Sequence, residues 1–410
     1  MRLLKGRSSW WCLYGSRIAA LPADAVTVDD RGRPQAVDDA RTALEQGGFF
    51  RERSTDAYSL TVLTNTGCNL GCGYCFQNVG TVDETDYRPD RIPLVRLDSR
   101  VIAATLEFTA KMMRDAGASK LKVLLFGGEP LLSGEACIEL LSRARAFGMT
   151  SAAMVSNGTL LTPEIAERLV NAGLNGTQIT FDGDQATHDR IRITRTGGGT
   201  FDQILGNVAA VAASVDMRWQ FRVNVSHRNS FSVPRLLDQL AERIEPAKAG
   251  VDIALIDDVG IGYDNRLEFD DTLARMHISW YQHALELGFS VRPPRAGFWC
   301  DFCSPKAGRR GTVVNADGTL YSCWETVGKP GLEVGDVWQG YLASEIIEPR
   351  WHSCDYATAA HGTPQQSRDF HDTIDAALLD ELSARGALSG RERRPPERTS
   401  MPYDAGPTGP

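Results

Sequence analysis

The sequence has no apolar run of about 18 residues, the length a membrane-spanning helix needs. Its basic start, Met1-Arg2-Leu3-Leu4-Lys5-Gly6-Arg7, has no apolar signal core behind it. A cytoplasmic protein with no membrane partner is therefore expected. Positive charge is also short: 44 Lys and Arg stand against 52 Asp and Glu, a net charge of −8. This argues against nucleic acid as a partner, because gripping phosphates takes clustered Lys and Arg. A peptide or small-molecule substrate stays open. The glycine run Gly197-Gly198-Gly199 lacks phosphate-loop spacing and reads as a flexible connector. With 410 residues, 42% of them hydrophobic and 23% charged, the chain can form one large α/β domain and a smaller one.

The nine cysteines are unevenly placed. In an intracellular chain they point to metal or catalysis before disulfides. Cys12 and Cys137 stand alone and read as buried structural thiols. The other seven fall into two groups, 68/72/75 and 300/303/323/354. In the first, Cys68-Asn69-Leu70-Gly71-Cys72-Gly73-Tyr74-Cys75 follows an apolar run, Tyr58 to Thr64, that reads as a strand. Three thiols on one strand-end loop can face one centre. Ferredoxin-type sites hold a [4Fe–4S] cube with four cysteines, so three leave one iron open for an outside ligand. A zinc loop is the competing reading.

This C-x3-C-x2-C spacing, with Tyr74 before its last cysteine, resembles the radical S-adenosylmethionine (SAM) family. The resemblance implies a [4Fe–4S] cluster held by Cys68, Cys72 and Cys75, with the amino and carboxylate groups of SAM chelating the open iron. One electron then cleaves SAM to a 5′-deoxyadenosyl radical that takes hydrogen from a C–H bond. The cofactor carries that chemistry; the protein binds, orients and excludes water. A low-potential electron donor such as flavodoxin or ferredoxin is implied as a partner.

From about 58 to 290 strands and helices alternate, as in a parallel sheet. Strands are expected at Leu60–Thr64, Lys122–Phe126, Ala152–Val155, Thr177–Phe181, Trp219–Val225 and Asp252–Ile256, with helices at about 98–115, 134–147, 163–172, 201–213, 233–243 and 271–287. Six such units resemble the family's partial (β/α)6 TIM-like barrel, an α/β fold whose reactive groups gather at the C-terminal strand ends. Phe126-Gly127-Gly128-Glu129-Pro130 follows the second strand and resembles the family's GGEP motif, which receives the SAM ammonium. Its glycines would allow close backbone approach to a ligand. Ser156-Asn157-Gly158-Thr159 resembles the (T/S)NG segment near the cofactor. Gln178-Ile179-Thr180-Phe181-Asp182-Gly183, with His188-Asp189 and Arg192, resembles the stretch that places Thr180 and Arg192 toward the SAM carboxylate or ribose, and a guanidinium fork suits a carboxylate. Phe221-Arg222-Val223-Asn224-Val225 resembles an "RVNV" segment; alternation puts Arg222 and Asn224 on one face, with Asn224 lining the adenosine pocket. Tyr74, Pro130 and Asp182 complete the expected SAM-binding set. No catalytic acid or base is assigned; Asp257 and Asp258 read as loop carboxylates.

Residues 1–57 read as a short unit with a hairpin and a helix at 38–47, a lid or packing element rather than a leader-peptide receiver. In the second cysteine group, Cys300 and Cys303 are followed by Asn315-Ala316-Asp317-Gly318, a hairpin turn, then by Cys323 and Cys354. This resembles the opening of SPASM and twitch domains, which bind auxiliary [4Fe–4S] clusters, so residues 296–358 are expected to hold one such cluster through these four cysteines. The later cysteine-rich run of a full SPASM domain is missing, which points to the one-cluster twitch type; zinc is the alternative. Residues 359–410 are expected to form a helix near 370–385 and a disordered tail from about Ser389.

The resemblance implies a radical SAM oxidoreductase. The stretch from Gln178 to Phe201 looks most like peptide maturases, so the expected substrate is a ribosomally made peptide undergoing cross-linking or other oxidative maturation. Oxidation or decarboxylation of a small sugar or nucleoside metabolite in natural-product biosynthesis is the alternative. A non-catalytic iron–sulfur or zinc protein that binds a partner is the reading from another class.

Overall fold

The computed structural model describes residues 1–51, 56–80, 88–256, 258, 261–297, 300–352 and 363–388. The chain opens with a three-stranded antiparallel sheet, β1 (Arg2–Lys5), β2 (Trp10–Tyr14) and β3 (Arg17–Leu21), followed by the pair β4 (Val26–Val28) and β5 (Pro34–Ala36) and helix α1 (Asp38–Gln46). The barrel then runs β6 (Ala57–Asn65), α2 (Ser99–Asp115), β7 (Lys120–Gly127), α3 (Gly134–Ala144), β8 (Met149–Ser156), α4 (Pro163–Ala172), β9 (Leu174–Phe181), α5 (Gln185–Ile191), α6 (Phe201–Ser214), β10 (Arg218–Val225), α7 (Val233–Ala241), β11 (Ala249–Leu255), α8 (Asp271–Glu286) and β12 (Ser290–Val291). Last come β13 (Gly311–Val314), β14 (Thr319–Tyr321), β15 (Gly335–Asp336), β16 (Gly340–Tyr341), α9 (Ser344–Ile347) and α10 (Pro364–Ala384).

The six expected strands are all present as β6 to β11, paired in parallel and in sequence order. The caps explain the helix starts. Asp98 accepts from the Val101 amide ahead of α2, and Thr162 from the Ile165 amide ahead of α4, where Pro163 has no amide to leave unpaired. Gly148 and Gly173 are left-handed, at φ 83° and 118°, and end the preceding helical segments.

Along β6, Tyr58, Leu60 and Val62 join the core under the helices, while Leu63 joins a second apolar cluster. In β7, Leu121, Val123 and Leu125 face the helices, while Leu124 and Phe126 join that second cluster. The period of two thus gives the sheet two buried faces. The second cluster also contains Cys300, Phe302, Cys303, Cys323 and Trp324. The segment that carries these cysteines continues the sheet itself: β13 pairs in parallel with β6, Gly311 opposite Ser59, and β14 to β16 extend it antiparallel. The expected Asp-Gly turn joins β13 to β14, with Gly318 at φ 89°.

The amino-terminal sheet packs on the last helix. Leu4, Trp11 and Leu13 meet Ala376 and Leu379, the Trp11 indole donates to Asp380 at 2.8 Å, and Arg2 pairs with Asp372 and Asp375 at 2.5 and 2.6 Å. The expected helix at 370–385 therefore begins earlier, at Pro364, behind a Thr363–Gln366 capping box. The expected tail from Ser389 lies outside the described residues. Among the described residues, no helix is long and apolar enough to cross a membrane.

Burial holds three groups near this last helix away from their ordinary ionisation. His277 falls to about 4 and His371 to about 3, while Asp375 rises to about 6 against the pull of Arg2. Between pH about 6 and 4 the unfolded chain keeps protons on both imidazoles and the folded chain does not. The folded chain alone keeps a proton on Asp375. The unfolded chain thus holds one more proton across these three groups, and acidification through that window weakens the fold. Urea titrations from pH 6.5 to 4 are expected to show a falling midpoint, and the paired substitution His277→Leu/His371→Leu a shallower fall.

Candidate active site

The C-terminal ends of β6 to β10 converge on the first cysteine loop. Gly127 and Gly128 pack against it so closely that an added Cβ would lie 2.3 Å from the Asn65 carbonyl oxygen and 2.2 Å from that of Gly67. Gly127 is also at φ 144°. The glycines were expected to open space for a ligand; the contact they serve here is with the loop backbone. Two hydrogen bonds close it: the Gly128 amide donates to the Asn65 carbonyl at 2.7 Å and the Glu129 amide to that of Gly67 at 2.9 Å.

Glu129 is fully buried. One of its oxygens accepts from the Leu131 amide at 3.0 Å and the Ser156 hydroxyl at 2.9 Å, the other from the Asn157 amide at 2.7 Å. Burial pushes its carboxyl up and these donors oppose the shift. Glu129 thus fastens the turn after β7, which Pro130 continues, to the end of β8. From there the Asn157 amide group donates to Asn69 at 2.9 Å and to the Cys68 sulfur at 3.7 Å, while Asn69 donates to Thr159 at 2.8 Å.

Cys68, Cys72 and Cys75 are free thiols. Burial raises Cys68, and raises Cys72 to about 12, with Arg192 opposing the latter shift. The Arg91 guanidinium donates to the Cys75 sulfur at 3.4 Å, and the thiolate charges of Cys75 and Cys68 raise Arg91 against its burial. The Leu70 amide donates to the Cys68 sulfur at 3.4 Å. Three soft donors on one loop, with donors and a cation against the sulfurs, fit a thiolate-held iron–sulfur cluster. Hydrogen bonds to sulfur are one of the features that tune such a cluster.

Beside the thiols, Tyr74 holds a polar node together. Its hydroxyl donates to Asp182 at 2.5 Å and accepts from Arg192 at 2.7 Å and Asn224 at 3.2 Å. Arg192 lies 3.6 Å from the Asp182 carboxylate, with both side chains almost wholly buried. Burial pushes Asp182 up and Arg192 pulls it down; the oxygens of Tyr74 and Asp182 and the Cys72 sulfur hold Arg192 charged against its own burial. Asp182 Oδ1 and Arg192 Nε are buried without a hydrogen-bond partner, so polar capacity remains for a ligand. That capacity, beside three thiols, fits the carboxylate and amino groups of SAM. Thr180 sits one step back on β9, in register with Arg222, which pairs with Asp252 at 2.5 Å and donates to Asn224 at 2.9 Å. His188 and Asp189 pin the loop: His188 accepts from the Asp182 amide, and Asp189 caps α6 through the Thr200 and Phe201 amides.

In the second group, Cys300, Cys303 and Cys323 are buried thiols in one apolar cluster. Burial and the neighbouring Cys303 raise Cys300. These soft, desolvated donors fit a metal–sulfur centre. Cys354 and Asp257 lie outside the described residues. Asp258 accepts from the Ile261 and Gly262 amides at 2.9 and 2.8 Å, as a loop carboxylate does. A row of rings joins the two groups. Phe76, next to Cys75, stacks on Phe126 at 6.0 Å; Phe126 meets Trp324, next to Cys323, at 5.5 Å; Trp324 meets Phe302, between Cys300 and Cys303, at 4.8 Å. Sequence reasoning gave Asn69 no role and missed Arg91 and this row. Asn69 lies inside the cysteine motif and Phe76 follows it directly, but Arg91 stands 16 residues past Cys75 with no pattern linking the two.

The profile of the family described as Radical SAM superfamily matches residues 62–223. A GTP 3′,8-cyclase of Xanthomonas campestris pv. campestris (strain B100) is 33% identical over 310 residues, 69% of this chain and 84% of that protein. A GTP 3′,8-cyclase of Parasynechococcus marenigrum (strain WH8102) is 27% identical over 237 residues, 54% of this chain and 63% of that protein. The chain spans 44% to 63% of the length of the first curated relatives it matches. A solved structure described as native anSMEcpe with bound AdoMet and Cp18Cys peptide superposes with a TM-score of 0.55 at 17% identity, over 81% of this chain and 99% of that one, a likeness of fold.

Two substitutions test the site's construction. Gly128→Ala places a methyl group in the Gly67 backbone and is expected to unseat the cysteine loop, seen as lost iron uptake. Arg192→Met strands Asp182 and is expected to cost about 3–5 kcal/mol of unfolding free energy, measured by denaturant titration; a loss below about 1 kcal/mol would contradict the buried pairing.

Proposed function

Because the chain belongs to the radical SAM superfamily, we propose that this enzyme binds a [4Fe–4S] cluster through Cys68, Cys72 and Cys75 and SAM beside it. The observation that carries this is the convergence of those thiols with the Tyr74–Asp182–Arg192–Asn224 node. When bound, the cluster and SAM supply one-electron cleavage and a radical able to take hydrogen from a C–H bond. The chain's own share is placement. Arg192 offers its unpaired Nε to the SAM carboxylate, as a guanidinium does well. Asp182 Oδ1 remains as an acceptor for the amino group. Asn224, fixed by Arg222, borders the nucleoside, with Thr180 behind it. Glu129 holds Ser156 and Asn157 in position, and Gly127, Gly128 and Pro130 set the loop's height. A low-potential flavodoxin or ferredoxin would deliver the electron.

The proposed substrate is a ribosomally made peptide undergoing oxidative maturation, with a second, twitch-type cluster at Cys300, Cys303, Cys323 and Cys354 taking up an electron. The Gln178–Phe201 stretch supports it, and the neighbour of similar fold is described with a peptide bound. Radical chemistry on a nucleotide is the second reading, favoured by relatives described as GTP 3′,8-cyclases.

Anaerobic reconstitution tests these steps. About eight irons per chain are expected for two clusters, with reductant-dependent conversion of SAM to 5′-deoxyadenosine. Cys72→Ala is expected to abolish that conversion; retained turnover would remove the assignment. Cys323→Ala is expected to keep SAM cleavage while losing roughly half the iron. GTP deuterated at ribose C3′ is expected to leave deoxyadenosine unlabelled. Deuterium appearing in it would replace the peptide reading with the nucleotide one.

A further inference from the structure

Among the described residues, one mixed set of metal-binding side chains is drawn together tightly: ligand atoms of Cys323, Glu325 and His352 all lie within 4.8 Å of one another. Cys323 is wholly buried, and the Glu325 and His352 side chains are 13% and 40% exposed, so the imidazole sits at the rim of the second cysteine cluster. Three successive residues strap it there. Arg350 donates to the Glu333 carbonyl at 2.9 Å, the Trp351 indole to the Cys303 carbonyl at 2.9 Å, and the His352 amide to the Ser322 hydroxyl at 2.9 Å. The strap therefore crosses both cysteine segments, and the ring ends 3.7 Å from the Glu325 carboxylate. That separation places the carboxylate beside the ring at ion-pair range.

We propose that His352 is a nitrogen ligand to the iron–sulfur centre that Cys300, Cys303 and Cys323 hold, so that this centre is of mixed thiolate and imidazole ligation. The inference rests on the second-cluster reading and puts His352 in place of Cys354 as the fourth ligand. Imidazole is a good iron ligand and carries no negative charge when neutral. Replacing thiolate by imidazole raises the potential of an iron–sulfur centre, as Rieske-type centres illustrate. A raised potential is what an electron acceptor in an oxidative reaction needs.

The test uses the full chain carrying Cys68→Ser, Cys72→Ser and Cys75→Ser, which leaves the second centre alone. After anaerobic reconstitution with iron and sulfide and reduction with dithionite, pulsed EPR is expected to show one strongly coupled 14N. His352→Ala is expected to remove that coupling, and Cys354→Ser to keep both the coupling and the iron. His352→Cys restores a fourth thiolate. It is expected to keep the iron, lose the coupling and move the midpoint potential to a more negative value. Iron present without a 14N coupling, or a coupling that survives His352→Ala, overturns the inference alone. Zinc in place of iron, or no metal, overturns the second-cluster reading with it.

Discussion

Everything at this site depends on a contact where no side chain fits. The exit of β7 crosses the root of the cysteine loop at Gly127 and Gly128, with loop carbonyls where a Cβ would stand. That closeness lets two main-chain hydrogen bonds span from the turn to Asn65 and Gly67. It also lets a buried carboxylate, Glu129, reach on to the end of β8. Three strand ends are thereby locked to one another before any ligand arrives. A loop with three thiols would otherwise pay its ordering entropy at the moment of metal binding.

Charge is arranged on the same principle. Asp182 and Arg192 are buried together, and Tyr74 bridges them from the cysteine loop itself. Isolated, either ion would be costly to bury; paired and hydrogen-bonded they are tolerated. The node extends through Asn224 and Arg222 to Asp252, so β9, β10 and β11 each contribute. On the thiol side, Arg91 supplies the cation that three sulfur anions need if they are to coexist in a dry pocket. Parallel strands deliver all these groups to one end of the sheet, which is where such barrels gather reactive groups.

How far the sequence was legible follows from the range of each interaction. The six strands and their helices showed because period, caps and left-handed glycines are local signals, readable within a few residues. The motif residues Cys68, Gly127, Asn157, Asp182 and Asn224 stood out because each lies at or just past the C-terminal end of its strand. Glu129 was legible as a motif residue, but its contacts with Ser156 and Asn157 were not. Arg91, the strap at 350–352 and the pairing of β13 with β6 were missed for one reason: each is a contact between segments with no shared spacing. Helix α5 was missed because its few residues also serve as a loop pinned by His188.

The ring row from Phe76 to Phe302 gives the two thiol groups a common fate. Interiors at crystal-like density transmit displacement from neighbour to neighbour. Phe126, on a central strand, touches the ring beside one group and the ring beside the other. A change of volume there is felt at both ends. A substitution that changes the bulk of Phe126 therefore disturbs the seating of Phe76 and of Trp324 together.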